Sequence, residues 1–418
     1  VPAKTPRKVL LIEADVAAGG DLLRAAAALG LEAYVATHKD LYAHYRPELT
    51  ARIAGTVFTD FADPATALDE LTAFCRETGV AGVAACWEFL SPVATRLAAA
   101  LGLPGHLPGP ADACRNKRLM AAVFAAHGVP APRTVVAADR HTLAQRIEAA
   151  GLTYPLVVKP AENAASIGVS VVRSAAELPA AARLAQAQTR KLPHGIALDT
   201  TLLAQEHVDG AEFSVETVLA GGEIHHLAIT EKFTSGGTSR AELGHTVPAA
   251  LPADTGAAVL AAATRAVTAL GLRYGIAHTE VKVDPAGHPK IIEVGARPPG
   301  DHIMKLVEEA RGIDVARACL QAVLGERPDV TPRRDAAAAI RFLTAPEAGT
   351  LRWISRLPQG GGVIATSLAK LPGEEVGSPR DNMGRIGHVM LRAGTAAEVN
   401  RAADEAMRSV TVELATRS

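Results

Sequence analysis

Two glutamates, Glu280 and Glu293, lie in the apolar runs TEVKV and KIIEV on either side of the turn DPAGHP. Read as a β-hairpin with Val283 opposite Lys290, the runs bring Glu280 opposite Glu293. Side chains alternate faces along a strand, so both carboxylates then project the same way. Opposed Cβ atoms lie roughly 4.5–5.5 Å apart, where like charges repel. Carboxylates held so close either share a proton or take a cation between them. Hard oxygen ligands of this kind suit Mg2+, which commonly binds one or two carboxylates plus substrate phosphates. Arg297 follows in a Gly/Pro loop, where its planar guanidinium can meet a carboxylate or phosphate. The plain alternative is an accidental pair, with one glutamate on a solvated face.

Other stretches carry groups of the same kind. Lys159 ends the apolar run YPLVVKP and is expected to be buried, whereas Lys117, in CRNK, precedes a helical pattern. The small-residue loop AENAASIG follows Lys159. Gly168 there lets backbone amides approach a phosphate, with Ser166 beside it; an ordinary hairpin turn would also fit. Glu242 and His245 fall in the polar stretch EKFTSGGTSRAELGHTVPA, which strand and helix patterns do not explain and which reads as a loop. The adjacent His225 and His226 point to opposite faces of a strand and make a poor chelate.

The elements that must position these groups follow from length and pattern. A chain of 418 residues is too long for one core, and two to four domains are expected. RKVLLIEAD, GGDLLRAAAALG, LEAYVATH and VAGVAAC alternate strand and helix, which predicts a doubly wound parallel sheet over residues 1–110. Such sheets bind ligands at the carboxyl ends of their strands. The joint GLPGHLPGP reads as a boundary. A second region is expected over 111–332, with a subdomain at about 130–205, and a small α/β appendage over 333–418. The glycine fingerprint of nicotinamide-binding folds is missing, since only Gly19-Gly20 follows the first strand. A net charge of -1 gives no electrostatic case for nucleic acid or membrane partners. Four scattered cysteines argue against zinc and disulfides and fit a cytoplasmic setting. No signal peptide and no apolar run of about 20 residues is visible.

Taken in order, CRNK, YPLVVKP, ENAASIGVSVV, LLAQEHVDGAEFSVE and HTEVKV with KIIEVGAR resemble the ATP-grasp superfamily over roughly residues 110–310. EKF followed by AELGHTVPA is similar to the L-amino acid ligase branch, which joins amino acids into dipeptides. The resemblance implies an ATP-grasp fold, α/β overall with an α+β nucleotide-binding part. It also implies ATP with Mg2+, as two ions for which Mn2+ can substitute. Lys117, Lys159, Ser166, Gly168 and Lys232 would contact phosphates. Backbone at Gln205, Glu206 and Val208 would meet adenine, and Glu212 the ribose. Glu280 and Glu293 would hold the metal. Glu242 would hold a substrate ammonium, His245 would lie near the transferred phosphoryl, and Arg297 would orient substrate. Residues 298–302, with Asp301, would wall the substrate pocket. Loops 160–169 and 233–247 would close as lids. Many family members carry Asn two residues after the second metal glutamate; Gly295 stands there, so water would replace that ligand.

The implied reaction is ATP-dependent joining of an amino acid carboxylate to an amine, with small molecules as partners and a homodimer as the default assembly. The alternatives are another ATP-grasp chemistry, using formyl phosphate or carboxylating biotin, and a non-catalytic nucleotide-binding module.

Overall fold

Leu10, Leu11 and Ile12 are fully buried, as a strand covered on both faces requires. Each such side chain contributes about 1.5–3 kcal/mol on leaving water. The computed structural model describes residues 6–236, 241–378 and 382–415. This central strand, β1 (Lys8–Ile12), is joined by β2 (Glu32–Thr37), β3 (Gly55–Phe58) and β4 (Val80–Ala85) in a parallel sheet of order β3-β2-β1-β4. The pair Gly19-Gly20 has a packing role. A Cβ on Gly19 would lie 2.3 Å from the Ala14 carbonyl oxygen, so only glycine lets the helix Ala17–Ala28 start this close to β1.

After the Pro/Gly joint, β5 (Thr134–Ala137), β6 (Leu156–Pro160), β7 (Ser170–Val172), a hairpin of β8 (Arg190–Lys191) and β9 (Ile196–Ala197), and β10 (Leu202–Glu206) follow. Strands β5, β10, β6 and β7 form a small antiparallel sheet, while β8 and β9 pair only with each other. Next come β11 (Ala211–Ala220), β12 (Glu223–Thr234), β13 (Glu242–Val247), β14 (Gly275–Val283), β15 (Pro289–Gly295), β16 (Ala337–Thr344), β17 (Gly349–Ile354), β18 (Val363–Leu368), β19 (Glu375–Val376), β20 (Arg385–Ala393) and β21 (Val412–Leu414). Eight of them form one sheet of order β15-β14-β11-β12-β13-β16-β20-β18, and β19-β17-β21 form a separate small one.

Two differences from the sequence reading have physical causes. Glu242 and His245 lie on β13, not in a loop. Strands flank it on both sides, and its polar side chains meet Lys232, Asp301 and Asn400, so it lacks the apolar alternation of a half-exposed strand. Of the stretch 233–247 expected to close as a lid, residues 237–240 lie outside the described residues and most of the rest is ladder. Further along the chain, β16 pairs with β13, and β20 and β18 continue the sheet. No helix among the described residues is long and apolar enough to cross a membrane.

Candidate active site

The large sheet puts two rows of side chains on opposite faces. On β14, Ala277, Val281 and Val283 pack into a core under the helix Ala253–Ala269, with Phe213 and Val215 of β11. His278, Glu280 and Lys282 therefore face the other way, into a cavity of about 420 Å³. Glu212 of β11 faces the same cavity.

Glu280 does face Glu293, although the register differs from the one read off the sequence. Val283 pairs with Pro289, and Lys282 with Lys290. A bulge at Ile292 then absorbs one residue, so that Ile291 and Val294 both enter the core while Ile292 and Glu293 both line the cavity. Strict alternation cannot anticipate a bulge. The two carboxylates are neutralised by different lysines. Glu280 accepts from Lys232 Nζ at 2.6 Å and Glu293 from Lys117 Nζ at 2.9 Å. Burial works against charge on Glu280, but Lys232 and His278 hold it well below the carboxylate range. Burial pushes Glu293 up to about 7; Lys117 opposes this, and the Glu88 and Glu280 charges add to it.

Lys117 and Lys159 come from separate elements. Asn116 caps the helix Lys117–Ala126 by accepting from the amides of Arg118 and Leu119, which places Lys117 at its first turn. Its Nζ also donates to the Asn163 carbonyl at 2.8 Å. On β6, Leu156 and Val158 enter the core of the small sheet, so Val157 and Lys159 line the cavity. Burial lowers the Lys159 ammonium to about 8, against the pull of Glu293. Lys117 is raised instead, because Glu293 and Glu88 outweigh burial.

The loop after β6 lines the cavity at Asn163–Ile167, and Ala165 and Ser166 take left-handed backbone conformations. Gly168 does not line it. With φ +78°, its missing Cβ makes room for Pro160 and Ala185, both within 3.2 Å of where that atom would be. Gln205, Glu206, His207 and Val208 line the same end.

Lys232 is the centre of a carboxylate cluster, with Glu242 at 2.8 Å and Glu212 at 3.3 Å besides Glu280. Burial opposes its charge, yet these three hold it well above the usual lysine range. Glu242 also accepts from Asn382 Nδ2 at 2.8 Å. Arg385 donates to both oxygens of Asp301 at 2.7 and 2.8 Å, and His245 Nε2 lies 3.0 Å from Asp301 Oδ2. His245 is fully buried and lies behind Asp301, outside the cavity lining. Glu242, His245 and Asp301 stand close enough to bracket an ion. Lys232 and Arg385 already supply that charge.

The N-terminal sheet contributes residues that pattern reading missed. Glu88 is 5% exposed and accepts from Arg297 at 3.1 Å, and Trp87, Cys86, Val16 and Ala18 line the same end of the cavity. Glu88 follows directly on β4, at the carboxyl end of a parallel strand, and a lone acid in the apolar run ACWEFL was the available signal. Gly295 lies under Arg297, whose side chain stands 3.5 Å from where a Cβ would be, so an asparagine there would meet the guanidinium.

These residues fit a divalent cation. Glu280 and Glu293 are opposed hard-oxygen donors in one cavity, each paired with a lysine ammonium.

Three family models match the chain: an ATP-grasp domain over residues 152–305, an ATP-grasp N-terminal domain over 23–105, and L-amino acid ligase C-terminal domain 2 over 341–415. The chain is 27% identical over 351 residues to an uncharacterised protein of Sinorhizobium fredii, covering 82% of this chain and 70% of that one. It is 30% identical over 212 residues to the D-alanine–D-alanine ligase of Gloeobacter violaceus, covering 47% of this chain and 64% of that one, just under two thirds of the ligase's length. The L-amino acid ligase from Bacillus licheniformis has the same fold, with a TM-score of 0.81 at 24% identity, covering 99% of this chain and 100% of that one.

Proposed function

The chain belongs to the ATP-grasp superfamily and carries the C-terminal domain of the L-amino acid ligases, and from that premise we propose that it is an ADP-forming ligase joining an amino acid carboxylate to an amine. The observation that carries the reading is the facing pair Glu280–Glu293 in one cavity with Lys117, Lys159 and Arg297.

The substrate carboxylate attacks the γ-phosphorus of ATP; the bond to the bridging oxygen breaks and ADP leaves with the electron pair. The amine then attacks the acyl phosphate carbon and inorganic phosphate leaves. The first step spreads negative charge over the transferring group, so catalysis is chiefly positioning and electrostatic stabilisation. Glu280 and Glu293 would hold Mg2+, as two ions or with Mn2+ in its place. Bound there, the metal supplies positive charge to the phosphates. Lys117 and Lys159 bind phosphate oxygens, and loop 163–168 covers them and excludes water from the acyl phosphate. Backbone groups of Glu206 and Val208 take the adenine, with Gln205 beside them, and Glu212 takes the ribose hydroxyls. Arg297 orients the acid.

The cluster around Lys232 acts as a frame. Glu242 and Asp301 are saturated by Lys232, Asn382, Arg385 and His245. They shape the amino acid end rather than transfer protons, and the leaving phosphate accepts the proton of the amine. The proposed setting is the cytoplasm, which four free, buried cysteines fit, and the proposed assembly is a homodimer.

The test is ADP release over pairs of amino acids, with mass spectrometry of the product. A condensed product with ADP is expected; ATP binding with no ADP release from any acid and amine pair would overturn the reading.

A further inference from the structure

Hairpin β8–β9 belongs by sequence to the small sheet's region but packs elsewhere. Ile196 and Leu198 are buried in the core of the N-terminal sheet, among Phe61, Phe89 and Leu90. The turn between the strands carries His194, whose side chain is 1% exposed. Its Nε2 lies 2.7 Å from Glu13 Oε2, and its ring meets Phe61 edge-on at 5.3 Å and Trp87 at 5.4 Å.

Glu13 is an unusual residue. Its backbone is left-handed, with φ 60°, and its buried carboxylate accepts from the amides of Ala14 and Asp15 at 2.9 and 2.8 Å, from Thr37 Oγ1 at 2.8 Å, and from the Tyr45 hydroxyl. Such conformations persist only where the surroundings over-determine them. Glu13 thereby fixes the turn that leads to Val16. Val16 and Trp87 both line the amino acid end of the cavity, and His194 bears on both walls, on one through Glu13 and on the other directly.

The other side of the hairpin leads to the phosphates. Lys117 Nζ donates to the Asn163 carbonyl, and Asn163 Nδ2 donates to Gln188 Oε1 at 2.9 Å, two residues before β8. A short covalent and hydrogen-bonded path therefore runs from the loop over the phosphates to the walls of the amino acid end.

We propose that His194 is a positioning residue that couples the two ends of the cavity, so that nucleotide under loop 163–168 orders the walls at residues 13–18 and 86–90 for the amino acid. This rests on the ligase reading above. Coupling of this kind is reciprocal, so the amino acid must tighten nucleotide binding by the same factor.

Hydrogen exchange of the full chain with Mg·AMP-PNP, a non-hydrolysable ATP analogue, tests it without knowledge of the amino acid. In the wild type, the analogue should slow exchange in peptides covering 160–169 and, roughly fivefold, in those covering 13–18 and 86–90. His194→Phe, which keeps the ring packing but removes the donor, should keep the analogue's affinity and the protection at 160–169 and lose protection at 13–18. His194→Gln should restore part of it, and Gln188→Ala should lose it from the other end without touching the N-terminal core. In turnover at saturating ATP, His194→Phe should raise the KM of the amino acids, while the affinity of AMP-PNP measured without amino acid stays unchanged. Equal protection of 13–18 in His194→Phe and wild type, or none there in a wild type protected at 160–169, would overturn the coupling. Absence of protection at 160–169 in the wild type would instead count against the nucleotide site itself.

Discussion

The two ends of the cavity are built differently. The end proposed for the nucleotide comes from one region of the chain: β6 and its loop, β10 with the residues after it, and the hairpin β14–β15. The end proposed for the amino acid is assembled from distant pieces: Val16 and Ala18, residues 86–88, Glu242 on β13, residues 297–303, and Asn382 with Arg385. Charge follows the same division. Lys159 at the nucleotide end is pushed down to about 8 by burial, a group that gains from incoming phosphate. At the other end, Asp301 and Arg385 already answer each other, and Arg297 is met by Glu88. One end awaits charge, and the other is a neutralised frame whose shape selects.

That contrast predicts which variants damage chemistry and which damage selection. The largest effect falls where the ends meet. Arg297→Lys should lower kcat/KM for ligation by roughly 10²–10³-fold, because a point charge cannot copy a planar fork on a developing charge. Near-normal turnover in that variant would break the comparison at its centre. Arg385→Met should have a smaller effect of another kind. It leaves the buried Asp301 with only His245, and the KM of the amino acids should rise roughly tenfold while that of ATP is unchanged, an effect in the range of a lost charged hydrogen bond. An equal rise in both would mean that the frame serves the nucleotide too.

The smallest effect is in pH dependence. The Lys159 ammonium has a folded pKa below the ordinary lysine value, so it loses its proton as pH rises through about 8. Nucleotide affinity of the wild type should therefore fall above that pH, and in Lys159→Met the affinity should be weaker throughout and flat over the same range. Titration calorimetry at several pH values reads both.

The same division decides what was legible in the sequence. Lys117 at the start of a helical pattern, Lys159 and the glutamate pair in apolar runs, and the small-residue loop after β6 each sit in a local pattern, and local patterns are what a sequence displays. Glu280 opposite Glu293 was readable even though the pairing near the turn was not, because the bulge at Ile292 restores the alignment by adding a residue. Glu88 carried a local signal, a lone acid in an apolar run, but its partner Arg297 lies 209 residues away. Arg385 has an ordinary local context and gains its meaning only from its tertiary neighbour Asp301. His245 is the converse case. A histidine in a polar stretch reads as a loop residue, yet β13 buries it behind Asp301.

The most direct measurement is the Mg2+ dependence of ATP-analogue binding to the wild type and to Glu293→Ala, each shown to be folded by its thermal unfolding. The account predicts that Mg2+ strengthens analogue binding to the wild type by at least roughly tenfold and adds little or nothing to the variant. An equal gain from Mg2+ in both proteins would contradict it.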